Sequence, residues 1–132
     1  MSEQSKQYKL LMIDDEIAYV EVLSKRMLMR DIEVTVAHSG SEAIKAMRGR
    51  YFDVAILDLK MEDMDGIEIL KILRKMDAQM PVIILTGHGS ERAAREGVKY
   101  GAYDYLIKPC DLDELILKIK TAGNKGGISN GK

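Results

Sequence analysis

The sequence contains a single cysteine, Cys110, so no disulfide can close within the chain, and a reducing compartment such as the cytoplasm is the expected setting. Net charge is nearly absent as well. With 20 basic and 21 acidic residues interspersed to leave −1, no overall field draws the chain onto nucleic acid or an anionic membrane. Long hydrophobic runs are missing: Leu10 to Ile13 and Val82 to Leu85 are far too short to span a bilayer, and Met1 to Gln7 is too polar for a signal peptide. A soluble, unexported protein is expected. There is no helix-turn-helix segment, so this chain is not expected to read DNA. Neither His38 nor His88 has a partner at metal-ligand spacing, which argues against a zinc site.

What is present is the material of one ordinary domain. A chain of 132 residues can bury roughly two-thirds of its unfolded surface but cannot build two cores, and its 46% hydrophobic content supplies a packed interior. The nine methionines read as adaptable core filling, and Cys110 as a small buried residue beside Pro109 with no catalytic role.

Two patterns alternate along the chain. Short aliphatic runs at Lys9 to Ile13, Val34 to Ala37, Val54 to Leu57, Val82 to Leu85 and Tyr103 to Ile107 predict strands, mostly buried on both faces. Between them lie helix-period stripes: Ile17, Val20, Leu23 and Met27; Ala43, Ile44 and Met47; Ile69, Leu70 and Leu73; Leu112, Leu115, Ile116 and Ile119. Ser39 with Glu42, and Asp111 with Glu114, have the spacing of reciprocal helix caps, and Gly101 is placed to stop the segment that opens at Ser90. Five strand and helix pairs in strict alternation require an α/β fold with a mostly parallel sheet and right-handed crossovers. Residues 1–8 are expected to form a flexible arm and 9–122 the domain. The glycine-rich 123–132 is expected to be a flexible tail or a truncated linker.

In an open parallel sheet, ligands bind beyond the carboxyl ends of the strands, and the unusual polar residues fall there. Asp14 and Asp15 follow the first strand, Asp58 the third, Thr86 ends the fourth, and Lys108 follows the fifth; only the second strand is expected to give nothing. Three converging carboxylates repel one another, and a hard divalent cation relieves that repulsion. All-oxygen ligands favour Mg²⁺, which would neutralise an incoming phosphoryl group alongside the Lys108 ammonium and leave one carboxylate to attack phosphorus.

These residues resemble the response-regulator receiver domains over about Lys9 to Ala122. The resemblance rests on Asp14-Asp15-Glu16, on Asp58 with Met61, Met64, Asp65 and Gly66 behind it, on Thr86-Gly87, and on Lys108-Pro109. It implies a flavodoxin-like, doubly wound, five-stranded parallel sheet of order 2-1-3-4-5 with five helices. It implies that Asp58 is the phosphoacceptor, that Asp15, Asp58 and the main-chain carbonyl of Lys60 ligate Mg²⁺, and that Asp14 acts through water. Lys108 would pair with phosphoryl oxygens, Thr86 would hydrogen-bond them, and Tyr105 would swing inward when Thr86 moves. A cis Lys108-Pro109 peptide is expected. In similar proteins the positions of Lys60 and His88 help set the lifetime of the phosphate. The donor would be a sensor histidine kinase or phosphotransfer protein, and the output a downstream target or effector domain.

The sequence departs from the pattern at Glu62, where many relatives carry proline, which leaves the loop after Asp58 more acidic. Arg92, Arg95 and Lys99 form a basic stripe on the fourth helix, readable as a solvated face or as part of a homodimer contact through the fourth helix, fifth strand and fifth helix. Three rival functions stand beside the phosphoacceptor reading. A phosphohydrolase would want an acid two residues after Asp58, where Lys60 stands. A phosphorylation-independent scaffold receiver would not need the complete acid, threonine and lysine set. A DNA-binding transcription regulator lacking its effector domain would have this chain as its receiver half.

Overall fold

A computed structural model describes residues 6–128. Five parallel strands, β1 (Tyr8–Ile13), β2 (Ile32–Ala37), β3 (Val54–Leu57), β4 (Val82–Thr86) and β5 (Asp104–Ile107), stand in the order β2-β1-β3-β4-β5. The helices α1 (Ile17–Leu28), α2 (Gly40–Gly49), α3 (Gly66–Met76), α4 (Glu91–Lys99) and α5 (Leu112–Ile128) alternate with them. This is the flavodoxin-like order the resemblance implies.

Side chains alternate across each strand and so feed two cores. Leu10, Met12, Val54, Ile56, Ile83 and Leu85 face α1 and α5, which contribute Val20, Leu23, Met27, Leu115, Ile116 and Ile119. Leu11, Ile13, Ala55, Leu57, Val82 and Ile84 face the other way, against Ala43 of α2, Ile69, Leu70 and Leu73 of α3, and Ala94 of α4. Each fully buried Leu or Ile contributes roughly 1.5–3 kcal/mol, which is what holds these layers together. The central strands are buried on both faces, whereas the edge strands β2 and β5 are only partly covered.

Several local expectations shift. Ile17 is 63% exposed, because the core stripe of α1 begins at Val20. The β1 strand starts at Tyr8, inside the expected arm, and Tyr8 is buried. Helix α5 continues to Ile128, six residues into the expected tail, and residues 129–132 lie outside the described range. The cause is a contact distant in sequence: the Tyr8 hydroxyl donates to Asn124 Oδ1 at 2.8 Å, and a Cβ at Gly123 would come within 2.9 Å of the Tyr8 ring. The glycine that weakens the helix locally is the residue small enough to pass under that ring.

The caps also differ in detail. Glu42 N–H donates to Ser39 Oγ, but the Glu42 carboxylate accepts from the main chain of His38 and not from Ser39. Asp65 caps α3 by accepting from Glu68 N–H, and Gly101, at φ 113°, follows α4 as expected.

Candidate functional site

Register alone assembles the site. Ile13 pairs with Leu57 and Leu57 with Ile84, so the residues just past β1 and β3 and at the end of β4 lie side by side. Main-chain bonds extend the alignment: Asp58 N–H donates to the Ile13 carbonyl at 2.9 Å, and Lys108 N–H to the Thr86 carbonyl at 2.8 Å. The strand order reverses at β1 and β3, and Asp14 and Asp58 stand at that switch point.

Asp58 is 5% exposed and every contact to its carboxylate comes from a donor. Thr86 Oγ1, fully buried, donates to Oδ1 at 2.8 Å, and the Lys60 main-chain N–H donates to the same oxygen at 3.0 Å. Lys108 Nζ donates to Oδ2 at 3.1 Å. The same ammonium reaches Asp14 Oδ2 at 2.8 Å and Glu16 Oε1 at 3.2 Å, and lies 4.6 Å from the centre of the Tyr19 ring. The Lys108-Pro109 peptide is cis, in line with the resemblance.

The charges are unevenly balanced. Burial raises the Asp14 carboxyl above its ordinary 3.8, and the hydrogen bond from Lys108 offsets this only in part. For Lys108, burial opposes the charge, but the hydrogen bond and charge of Asp14, followed by those of Asp58, outweigh it and hold the ammonium firmly protonated. Asp14, Asp15, Glu16 and Asp58 together outnumber the Lys108 cation, and the excess is negative.

Of the three expected carboxylates, Asp14 and Asp58 meet at Lys108. Asp15 is half-buried and its carboxylate has no hydrogen-bond or ionic partner among the described residues. Among those residues, no three acidic, His or Cys side chains form a group able to hold a metal unaided, because Lys108 already occupies the space between Asp14, Glu16 and Asp58. Mg²⁺ nevertheless fits this donor set. It needs only one or two carboxylates and keeps several waters, and an excess of hard oxygen donors over positive charge is the environment it balances.

Lys60 and His88 are exposed, on the loops after β3 and β4. Tyr105 is half-buried on β5 opposite Ile84, on the sheet face that Ile84 shares with Thr86 and turns toward α4. Cys110 is half-buried at the margin of the α1 and α5 core, and burial, with Glu114 and Asp111 nearby, raises its thiol pKa.

Besides Tyr19 at Lys108, two contributors escaped the sequence reading. The second strand does give something: His38, after β2, has Nδ1 3.0 Å from the Asp14 carbonyl, so Nδ1 carries the proton and steadies the acid turn. Its only sequence signal was a polar residue at a strand end. Asp63, in the acidic loop, accepts from the N–H groups of Gly40 and Ser41 and ties that loop to the start of α2. Those bonds lower the Asp63 pKa. Gly66 is required by close approach, since a Cβ there would stand 2.4 Å from the Leu59 Cα.

The family described as the response regulator receiver domain matches residues 10–120. The transcriptional regulatory protein ZraR of Klebsiella oxytoca is 37% identical over 117 residues, covering 89% of this chain but only 26% of that protein. The chain thus spans about a quarter of the length of such curated relatives. Among solved structures, the Francisella response regulator 1452 receiver domain aligns with a TM-score of 0.82 at 36% identity, over 89% of this chain and 98% of its own. A CheY-like response regulator receiver domain protein of Methanospirillum hungatei JF-1 aligns at 0.87 and 26% identity, over 95% and 99%. No described helix is long and apolar enough to cross a membrane. With the family match covering most of the chain and four strand ends meeting in one cluster, this chain belongs to the response regulator receiver domains of two-component signalling.

Proposed function

We propose that the chain is a phosphoacceptor receiver, in which Asp58 takes a phosphoryl group from a sensor histidine kinase or phosphotransfer protein in the cytoplasm. The observation that carries this reading is the surroundings of Asp58, a buried carboxylate met by a hydroxyl, a main-chain N–H and an ammonium. Asp15, Asp58 and the Lys60 carbonyl would hold Mg²⁺, with Asp14 acting through water. When bound, the ion supplies charge neutralisation for the phosphoryl oxygens.

The chain's own groups do the positioning, which is most of what phosphoryl transfer requires. Asp58 Oδ2, which among the described residues meets only Lys108, is the attacking oxygen: its bond to phosphorus forms as the donor's phosphorus–nitrogen bond breaks, and that electron pair leaves with the donor nitrogen. Lys108 then passes its proton contact from Oδ2 to a phosphoryl oxygen. Thr86 turns its hydroxyl from Oδ1 to the same group, and Tyr105 follows into the space beside it. The altered face of α4, β5 and α5 signals to a target protein, an effector domain or a second copy of the chain. The domain acts on itself and not on a separate substrate, so it is a signalling module and not an enzyme of turnover. Lys60 and His88 flank the path of attacking water and tune the phosphate's lifetime; Lys60→Ala and His88→Ala should change its half-life, and unchanged decay in both would remove that role.

A second reading concerns the output. The curated relatives include proteins named as transcriptional regulators, several times longer than this chain; on this reading the chain is the receiver half of such a regulator and its output passes through an attached DNA-binding effector.

Incubation with Mg²⁺ and acetyl phosphate, followed by intact-mass spectrometry, tests the proposal. The parent should gain one phosphoryl group, dependent on Mg²⁺, and Asp58→Asn should gain none. A folded parent that gains nothing would favour the phosphorylation-independent scaffold.

A further inference from the structure

Lys108 is held by more than its acidic partners. An ammonium has three protons, and Asp14, Asp58 and Glu16 account for all of them. The Tyr19 ring adds a fourth contact of another kind, with its centre 4.6 Å from Nζ. That attraction acts on the charge and uses no proton, so it does not compete with the carboxylates.

The placement of Tyr19 is not that of a core residue. The α1 stripe consists of Val20, Leu23 and Met27, and Tyr19 sits one position off it, half-buried at the margin of the cluster. The ring packs against the edge of that cluster and also meets the Lys108 ammonium. The phenol is pushed up to about 12, first by burial, so the ring stays neutral wherever phosphoaspartate forms.

Of the three anionic partners of Lys108, buried Asp14 stays as it is, while the other two hold the ammonium less steadily. Phosphorylation converts the Asp58 carboxylate into an acyl phosphate, which removes the charge on that oxygen, and Glu16 is largely exposed and screened by water. A lysine on a flexible four-carbon stem, left with Asp14 as its one unchanged carboxylate partner, has room to shift as those bonds rearrange. The neutral ring face is a second anchor, beside Asp14, that the reaction leaves untouched.

We propose that Tyr19 is a positioning residue for phosphoryl transfer, its ring face keeping the Lys108 ammonium at Asp58 while the ammonium's hydrogen bonds pass to the phosphoryl oxygens. This inference rests on the reading of Asp58 as acceptor, and it names a role for a residue outside the strand-end set.

The test uses the full chain labelled with ¹⁵N-lysine, as parent, Tyr19→Phe and Tyr19→Leu, with the Lys108 ammonium signal assigned from Lys108→Arg. In the parent, the Lys108 protons should be shifted upfield by the ring. Tyr19→Leu keeps apolar bulk but no π face: it should lose the upfield shift and slow phosphorylation by acetyl phosphate by roughly three- to tenfold. Tyr19→Phe should restore both. A Tyr19→Leu protein that is phosphorylated at the parent's rate overturns the proposal, as does Tyr19→Phe behaving like Tyr19→Leu, which would assign the effect to the hydroxyl. If the parent shows the upfield shift but takes no phosphoryl group, the acceptor reading fails while the Tyr19 contact stands, so the two failures are distinguishable.

Discussion

Asp14 is 1% exposed, and its carboxyl holds a proton more readily than an ordinary aspartate because burial disfavours its charge. Since its folded pKa lies above the unfolded one, the native state binds more protons between the two values, and stability falls as pH rises through that window. The favourable contribution is fully present below the unfolded pKa and is lost as pH rises through the raised folded pKa. Asp14→Asn should therefore unfold at a higher temperature than the parent at pH 7 in the presence of a chelator, by about 1 kcal/mol in stability. The gap should close as pH falls below about 4, and Mg²⁺-dependent phosphorylation should drop. Calorimetry across pH checks the first part; an Asp14→Asn protein less stable than the parent at pH 7 would mean that the bond to Lys108 outweighs the burial of the charge.

At the scale of elements, the helices on one face of the sheet differ in how firmly they are held. The α3 helix buries Ile69, Leu70 and Leu73, whereas α4 buries only Ala94 and Gly97. Gly97 lets α4 approach β4 closely, since a Cβ there would meet Ile84 Cδ1 at 2.2 Å, but small residues contribute little apolar area. An element with so little to lose can be shifted by one new charge at Asp58. Amide hydrogen exchange should be faster in α4 than in α3, and phosphorylation should change protection across residues 87–100 more than in any other described segment. Equal protection in α3 and α4, unmoved by acetyl phosphate, would assign the switch to another element. The acidic loop after β3 behaves in the opposite way. Where the family resemblance leads one to expect proline, this chain has Glu62, and the adjoining Asp63 fastens the loop to α2 through Gly40 and Ser41, so side-chain bonds do the work of a stiff backbone.

For the whole molecule, the strand ends were legible because each aliphatic run stops abruptly at a polar residue, and a parallel sheet carries those stops to one edge. Asp14, Asp58, Thr86 and Lys108 needed nothing beyond that rule to be found together. The parts that were not legible depend on contacts between distant residues. The end of α5 rests on Tyr8, at the opposite terminus of the domain, and local glycine content pointed the other way. His38 contributes through a main-chain carbonyl, which leaves no trace in side-chain spacing. Glu16 and Tyr19 reach Lys108 across most of the chain length, and Asp63 caps a helix that precedes it, so no periodicity marks them.

On the proposed function, Asp58 alone among several neighbouring carboxylates forms the bond to phosphorus. Treating the protein with acetyl phosphate and Mg²⁺, reducing the acyl phosphate with borohydride and mapping the peptides would test it most directly. Homoserine is expected at position 58 and at no other acidic position. Reduction at Asp14, Asp15 or Glu16 instead, or a stable phosphoryl adduct that borohydride leaves unreduced, would contradict it.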